Sequence, residues 1–356
     1  MARVFLLTLC SGFFVACSVY DPGLVAKQSQ SSCTLKKLPT SPSLTDDGED
    51  IGELWFATSK IRLQLDDGEW QEIGFDIDGL CTTADQPLSS CMSGAGTPSL
   101  DGDGGVDNVV AQHVMPLALS IASDLESDLE HSQRRAIDSP TLVIYGWNGE
   151  DNDPLVYLSF SQSVYGLPAG TEDLANPLSV HATDSDIVFE ELNWDGTDRL
   201  WLDESRFVQG DINNPVDRVP GYIRDRQLVA QLPNRRRYAT YGEKYGIDLV
   251  LTDMKIYGKI SKDNQEISPL LFTGRWPVGE FINTMLVSGV GCKQGDVSLY
   301  LEQLIDSVAD VREDPSSTNA SLACDALSMS SVFEAHRIIP AGLAPRYPPQ
   351  PRCSEQ

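Results

Sequence analysis

TLVIYGWNGEDNDPLVYLSFSQSVYG, residues 141–166, decides how this chain is read. Two runs rich in β-branched and aromatic residues flank the acidic turn Gly149, Glu150, Asp151, Asn152 and Asp153, the pattern of paired strands around a turn. Comparable runs follow as SDIVFEELNW (185–194), RLWLDESRFV (199–208), RQLVAQLP (226–233), GIDLVLTDMKIYGKI (246–260) and PLLFTGRW (269–276), and a last strand is expected from Val332 to Ile339. Short strands set off by polar, glycine-containing turns, rather than strands alternating with helices, predict a mainly β fold with two or three helices. The expected architecture is a β-sandwich or jelly-roll-like domain.

Working back toward the N-terminus, LWFATSKIRLQL (54–65) and EWQEIGFDI (69–77) read as two strands joined at Asp66, Asp67 and Gly68. Val106, Val110, Val114, Leu117, Ile121, Leu125 and Leu129 then recur at spacings of three and four, one buried helical face that Pro116 should kink or divide. Asp107 and Asn108 stand where an N-cap belongs, and Arg134 and Arg135 near the favourable C-terminal end of the helix dipole. A second amphipathic helix begins at Asp296, with Val297, Leu301, Leu304, Val308 and Val311 on one face.

The chain of 356 residues carries 26 Lys and Arg against 52 Asp and Glu, a formal net charge of -26. Such a charge repels phosphate backbones, so nucleic acid is excluded as a partner class. Val4–Ala16, VFLLTLCSGFFVA, follows a minimal positive start and is too short to span a bilayer, the composition of a secretion signal over residues 1–16. Its end, Phe14-Val15-Ala16-Cys17, resembles the bacterial lipobox, with Phe14 in place of the usual Leu. That resemblance implies a mature protein beginning at a lipidated Cys17, with Ser18 next to it of the type passed on to the outer membrane. Residues 17–52, rich in Ser, Thr, Pro and acids, read as the lipidated Cys and a flexible tether, residues 53–339 as a single β-rich domain, and residues 340–356 as a Pro-rich tail.

Six cysteines remain beyond Cys17: Cys33, Cys81, Cys91, Cys292, Cys324 and Cys353. An even number in an exported chain reads as disulfides. Proximity in sequence suggests Cys81 with Cys91 and Cys292 with Cys324, leaving Cys33 with Cys353. No Cys or His cluster has zinc spacing.

The chemistry concentrates in the loop 74–108, GFDIDGLCTTADQPLSSCMSGAGTPSLDGDGGVDN. Asp76, Asp78, Asp101, Asp103 and Asp107 supply hard oxygen ligands, and the glycines allow the chain to bend around an ion. The candidate cofactor is therefore calcium. Asp76 and Asp78 share one side of an extended strand end. The spacing is not that of an EF-hand and looks more like the DGDG-type calcium loops of extracellular modules. The plain alternative is that these acids shape turns and cap a helix.

Trp147 beside Glu150–Asp153, and Trp194 and Trp201 around Asp195 and Asp198, are the next candidates, because a ring beside a carboxylate can hold a sugar. Tryptophans within β runs more often serve as core, so these count as turns first. The basic run Arg235-Arg236-Arg237 suits an anionic partner or a solvated loop. No serine-elbow, zinc-protease, P-loop or dinucleotide motif is present, and His113, His131, His181 and His336 stand alone.

The lipobox, GFDIDGLCTT (74–83), DGDGGVDN (101–108), GTDRLWLDE (196–204), LVAQLP (228–233), FTGRW (272–276) and a late cysteine-bearing helical segment together resemble a set of uncharacterised exported lipoproteins of myxobacterial type. The resemblance runs from about Leu54 to Ile339. That group carries no assigned activity, so the resemblance implies an exported, single-domain protein and transfers no catalytic residue. The expectation is a cell-envelope lipoprotein, calcium-stabilised, that acts in binding or adhesion toward a glycan or surface protein. The rivals are a glycan hydrolase with two carboxylates, whose pairing would be spatial, and a purely structural envelope protein.

Overall fold

The computed structural model describes residues 33–43, 48–65, 68–167, 190–232, 234–288 and 296–346. Every element below lies in the compact unit Thr34–Gln356.

Eleven strands are formed among the described residues. In chain order they are β1 (Leu54–Arg62), β2 (Pro140–Tyr145), β3 (Asp153–Leu167), β4 (Arg199–Asp203), β5 (Val219–Arg224), β6 (Gln227–Leu232), β7 (Arg236–Tyr241), β8 (Gly246–Ile260), β9 (Glu266–Pro277), β10 (Ala326–Arg337) and β11 (Ile339–Ala344). Eight of them, β1, β2, β3, β5, β6, β8, β9 and β10, pair antiparallel in that order, and β10 returns to β1. The sheet is a closed up-and-down barrel, which replaces the expected sandwich or jelly-roll. Both of those leave sheet edges, whereas here β3 meets β5 and β1 meets β10, so no edge of the ring remains.

Length and bulges make closure possible. Strands β3 and β8 run 15 residues each, and register shifts interrupt β1 at Thr58/Lys60, β8 at Thr252/Lys255 and β10 at Phe333/Ala335. A bulge bends its strand and adds twist, which a small barrel needs. Asp253, at φ 48°, marks the point where β8 changes partner: Gly246–Leu251 pairs with β7 and Met254–Lys259 with β6. The β5–β6 turn uses Asp225 and Arg226, both at positive φ, the turn geometry that matches strand twist.

Apolar side chains fill the barrel. Phe56, Ile144, Leu158, Ile223, Leu228, Ile256, Leu270, Phe272 and Phe333 belong to one buried cluster, each 0–1% exposed. Burying a side chain of this size stabilises by about 1.5–3 kcal/mol. An apolar interior is the reverse of a membrane-spanning barrel, whose lumen is polar and whose outer band is apolar.

The expected long helix is divided. A π-helical turn, Val110–Val114, leads into α1 (Met115–Ile121), and α2 (Leu125–Arg134) follows after Ala122. Pro116 lies in the first turn of α1, where its missing N–H costs nothing. Helix α2 closes one end of the barrel: Leu125 and Leu129 enter the core, while the Glu126 carboxylate accepts the N–H groups of Leu63 and Gln64 and Asp128 accepts those of Lys244 and Tyr245. Two further helices, α3 (Val278–Ser288) and α4 (Asp296–Val308), separate β9 from β10. Ile305 of α4 and Ala309 just after it are buried, four residues apart.

The stretch 69–77 is not a strand. It holds a 3-10 turn at Glu69–Gln71 and an irregular run, because β1 already has β2 on one edge and β10 on the other. Residues 34–40, read above as tether, lie against the domain: the Lys36 N–H donates to Gly104 O, Leu38 joins an apolar cluster with Phe75, and Arg224 donates to Thr40. In the span read as a tail, β11 pairs with β4, and the half-buried Arg346 donates to Asp138 at 2.6 Å.

Candidate metal centre

The loop 74–108 runs across the outer face of β8, β9 and β10. Two basic side chains of that face hold its backbone: Lys255 Nζ donates to Asp76 O at 2.7 Å, and the buried Arg275 donates from Nη2 to Ile77 O at 2.8 Å and from Nη1 to Arg312 O at 2.7 Å. Gly104 and Gly105 both adopt positive φ, and a Cβ at Gly105 would sit 2.6 Å from Leu80 O. Only glycine turns the chain there without a clash.

Four of the five expected aspartates converge. Oxygens of Asp76, Asp78 and Asp107 lie within 4.8 Å of one another, and Asp101 shares a side-chain hydrogen bond with Asp107. In each carboxylate one oxygen is oriented by loop N–H groups: Gly79 donates to Asp76, Leu80 to Asp78, Thr82 to Asp101, and Ile77 to Asp107 at 2.7 Å. Asp103 does not join them. It is exposed, with its N–H donating to Gln71 O and its charge facing Lys36.

Asp310, beyond α4, was not foreseen as a site residue. Its carboxylate accepts the Ser328 N–H at 2.8 Å and the Ser328 hydroxyl at 2.5 Å, and the Asp78 charge acts on it. No local motif announces it, because nothing in its sequence neighbourhood repeats an acid–glycine pattern.

Electrostatics follow from burial. Desolvation raises the Asp101 carboxyl to about 7, with Asp78 adding to the rise against the Thr82 N–H. Asp310 is likewise pushed to about 7 by burial and by Asp78, against its bonds from Ser328. Burial also raises Asp76, and it raises Asp107 well above the ordinary range, with Asp78 and Asp101 contributing there. Lys255 acts on Asp76 and Asp107 and Lys37 on Asp76, so five carboxylates leave an excess of negative charge in a low-dielectric space, which a proton or a cation must offset. All the donors are hard oxygens, and the separation of those of Asp76, Asp78 and Asp107, within 4.8 Å of one another, is one that a single ion with 2.3–2.6 Å bonds, such as calcium, can bridge.

Part of the motif also does the plain work of capping. Asn108 accepts the Ala111 N–H through its side chain, while Asp107 turns back to the 77–78 backbone.

The disulfides differ from the expected pairing. Cys91 bonds to Cys324, not to Cys81, which ties the loop to the segment before β10 and places Cys91 Sγ 3.2 Å from Asp310 O. Proximity in sequence misled, since the barrel brings residues 233 positions apart to a 5.2 Å Cα separation. Cys33 and Cys81 are also disulfide-bonded. Cys17, Cys292, Cys353 and His181 lie outside the described residues.

The other candidates resolve into structure. Trp147 is fully buried, its Nε1 donating to Glu150 O at 3.0 Å, and Trp194 donates to Arg134 O. The Asp198 carboxylate accepts the N–H groups of Asn193 and Trp194 and shapes that turn. Each arginine of the basic run meets a carboxylate: Arg235 with Glu280, Arg236 with Asp217, Arg237 with Asp248. No family model, curated protein or solved structure matches this chain.

Proposed function

We propose that this is an exported lipoprotein of the outer membrane, anchored through Cys17, whose barrel is a scaffold for binding or adhesion at the cell surface and whose loop 74–108 is ordered by calcium. The convergence of Asp76, Asp78 and Asp107 carries the calcium reading, with Asp101 and Asp310 beside them. The metal's role is structural. An ion there neutralises the cluster and so fixes a loop that also leads into the helices closing the barrel.

The hydrolase alternative calls for two acids facing substrate across a cleft. Of the acids of raised pKa, Asp76, Asp101, Asp107 and Asp310 crowd together, while Asp138 is held by Arg346 and Asp198 by the N–H groups of its own turn, and the cavities at Tyr238, at Met115 and at Lys259 are lined by none of the five clustered acids. The binding reading is the stronger.

Thermal melting of the disulfide-intact chain in calcium, magnesium and chelator tests it. A calcium-specific rise in Tm is expected, of the size given by RT ln(1 + [L]/Kd), about 2.7 kcal/mol at a hundredfold excess over Kd. Identical melts in the three conditions would remove calcium from the reading.

A further inference from the structure

The barrel is not zipped along its whole height. Strands β6 and β7 run on from one another along β8, broken between Leu232 and Arg236, so β5 covers β6 while β7 has no strand on its other side among the described residues. On the facing side, β3 pairs with β5 only as far as Leu158 and with β4 only from Ser163. A wedge is left between β3 and β7. Gln162 bridges it by donating from Nε2 to Ala239 O, and Arg206 approaches Arg237 O at 3.5 Å.

That wedge holds a cavity lined by Phe160, Gln162, Arg206, Asp217, Arg236 and Tyr238, among others. Donors predominate in it. Tyr238 is 4% exposed, and its hydroxyl has no hydrogen-bond partner among the described residues; neither does Arg236 Nε. Tyr238 lines the cavity together with Arg206, Arg236 and Asp217, while its ring packs against Phe160 and Phe272. Asp217 is taken by Arg236 at 2.5 Å. Arg206 has no carboxylate within ion-pair distance among the described residues, so one guanidinium charge is left over.

We propose that this seam is a binding site for a small oxyanion, a carboxylate or phosphoryl group, received by Arg206, Arg236 Nε and the Tyr238 hydroxyl. An anion accepts where three donors converge, satisfies a buried hydroxyl, and balances the extra guanidinium. The space open to water-sized groups is about 30 Å³, which suits a carboxylate or one face of a phosphoryl group and excludes a ring. In a chain of net charge -26, such a site selects for a specific anion, since the surrounding field repels anions in general.

The test is titration calorimetry and melting of the full chain with acetate, inorganic phosphate and sulfate, against chloride at matched ionic strength. Acetate or phosphate is expected to raise Tm beyond chloride, and the probe that does so identifies which oxyanion chemistry the seam takes. Arg206→Gln should weaken the response roughly tenfold through loss of a charged hydrogen bond. Tyr238→Phe should weaken it less while leaving the melt in chloride unchanged or higher, because it deletes an unpartnered buried hydroxyl, so it remains informative if Arg206→Gln does not fold. A response equal to that of chloride, or one retained by both variants, would overturn the site and leave water in the seam.

Discussion

Asp78 is the residue on which the acid cluster turns. Its charge contributes to the raised pKa of Asp76, Asp101, Asp107 and Asp310 alike. Asp78→Asn should therefore abolish the calcium-dependent rise in Tm and, in chelator, leave stability unchanged or improved, because one like charge is removed. Asp103→Ala should leave the calcium response intact, since that side chain stands outside the cluster. Melting curves of both variants with calcium and chelator decide this. A calcium response kept by Asp78→Asn and lost by Asp103→Ala would place the ion elsewhere. The sequence marks both residues as equivalent members of D-x-D runs, and only the fold separates them.

At the scale of elements, barrel closure depends on strands meeting without space to spare. A Cβ at Gly258 of β8 would lie 2.4 Å from Ile267 Cγ2 and 3.1 Å from Leu270 Cδ1 of β9. Gly258→Ala should accordingly cost about 1–3 kcal/mol by overpacking, read as a lower urea midpoint at unchanged slope. An unchanged midpoint would mean that β9 shifts freely, contrary to a closed ring. The strands legible in the sequence were those with sustained β-branched and aromatic content: β1, β4, β6 and β8 fall within the runs identified there, and β2, β3, β9 and β10 overlap theirs. Strands β5 (VPGYIR) and β7 (RRYATY) were not, because Pro, Gly and arginines dilute the signal and their place is set by the partners β3 and β8. The stretch 69–77 shows the opposite error, an alternating pattern that finds no free edge to pair with.

For the whole molecule, the buried acids set the pH dependence of the calcium-free protein. Asp101 and Asp310 titrate at about 7 when folded, against an ordinary 3.8. Between these values the folded state holds more protons than the unfolded one, so stability in chelator should be highest near pH 4 and fall as pH rises to about 7. Saturating calcium should flatten or reverse that slope, since the ion requires the ionised form. Melts across this range with and without calcium check the sign. A chelated protein that gains stability from pH 5 to pH 7 would show that these carboxyls are ionised and already paired.

The sequence by itself determined that the chain is β-rich, that a helical face follows the loop, and that acids and glycines gather between residues 74 and 108. Alternation, helical spacing and turn chemistry are local and need no partner to be read. Tertiary structure alone decided that the sheet closes, that Cys91 meets Cys324, that Asp310 joins the acids and Asp103 leaves them, and that a polar wedge opens between β3 and β7. Each of these depends on which distant edges pair, and no local pattern distinguishes a strand bound for a sandwich from one bound for a barrel.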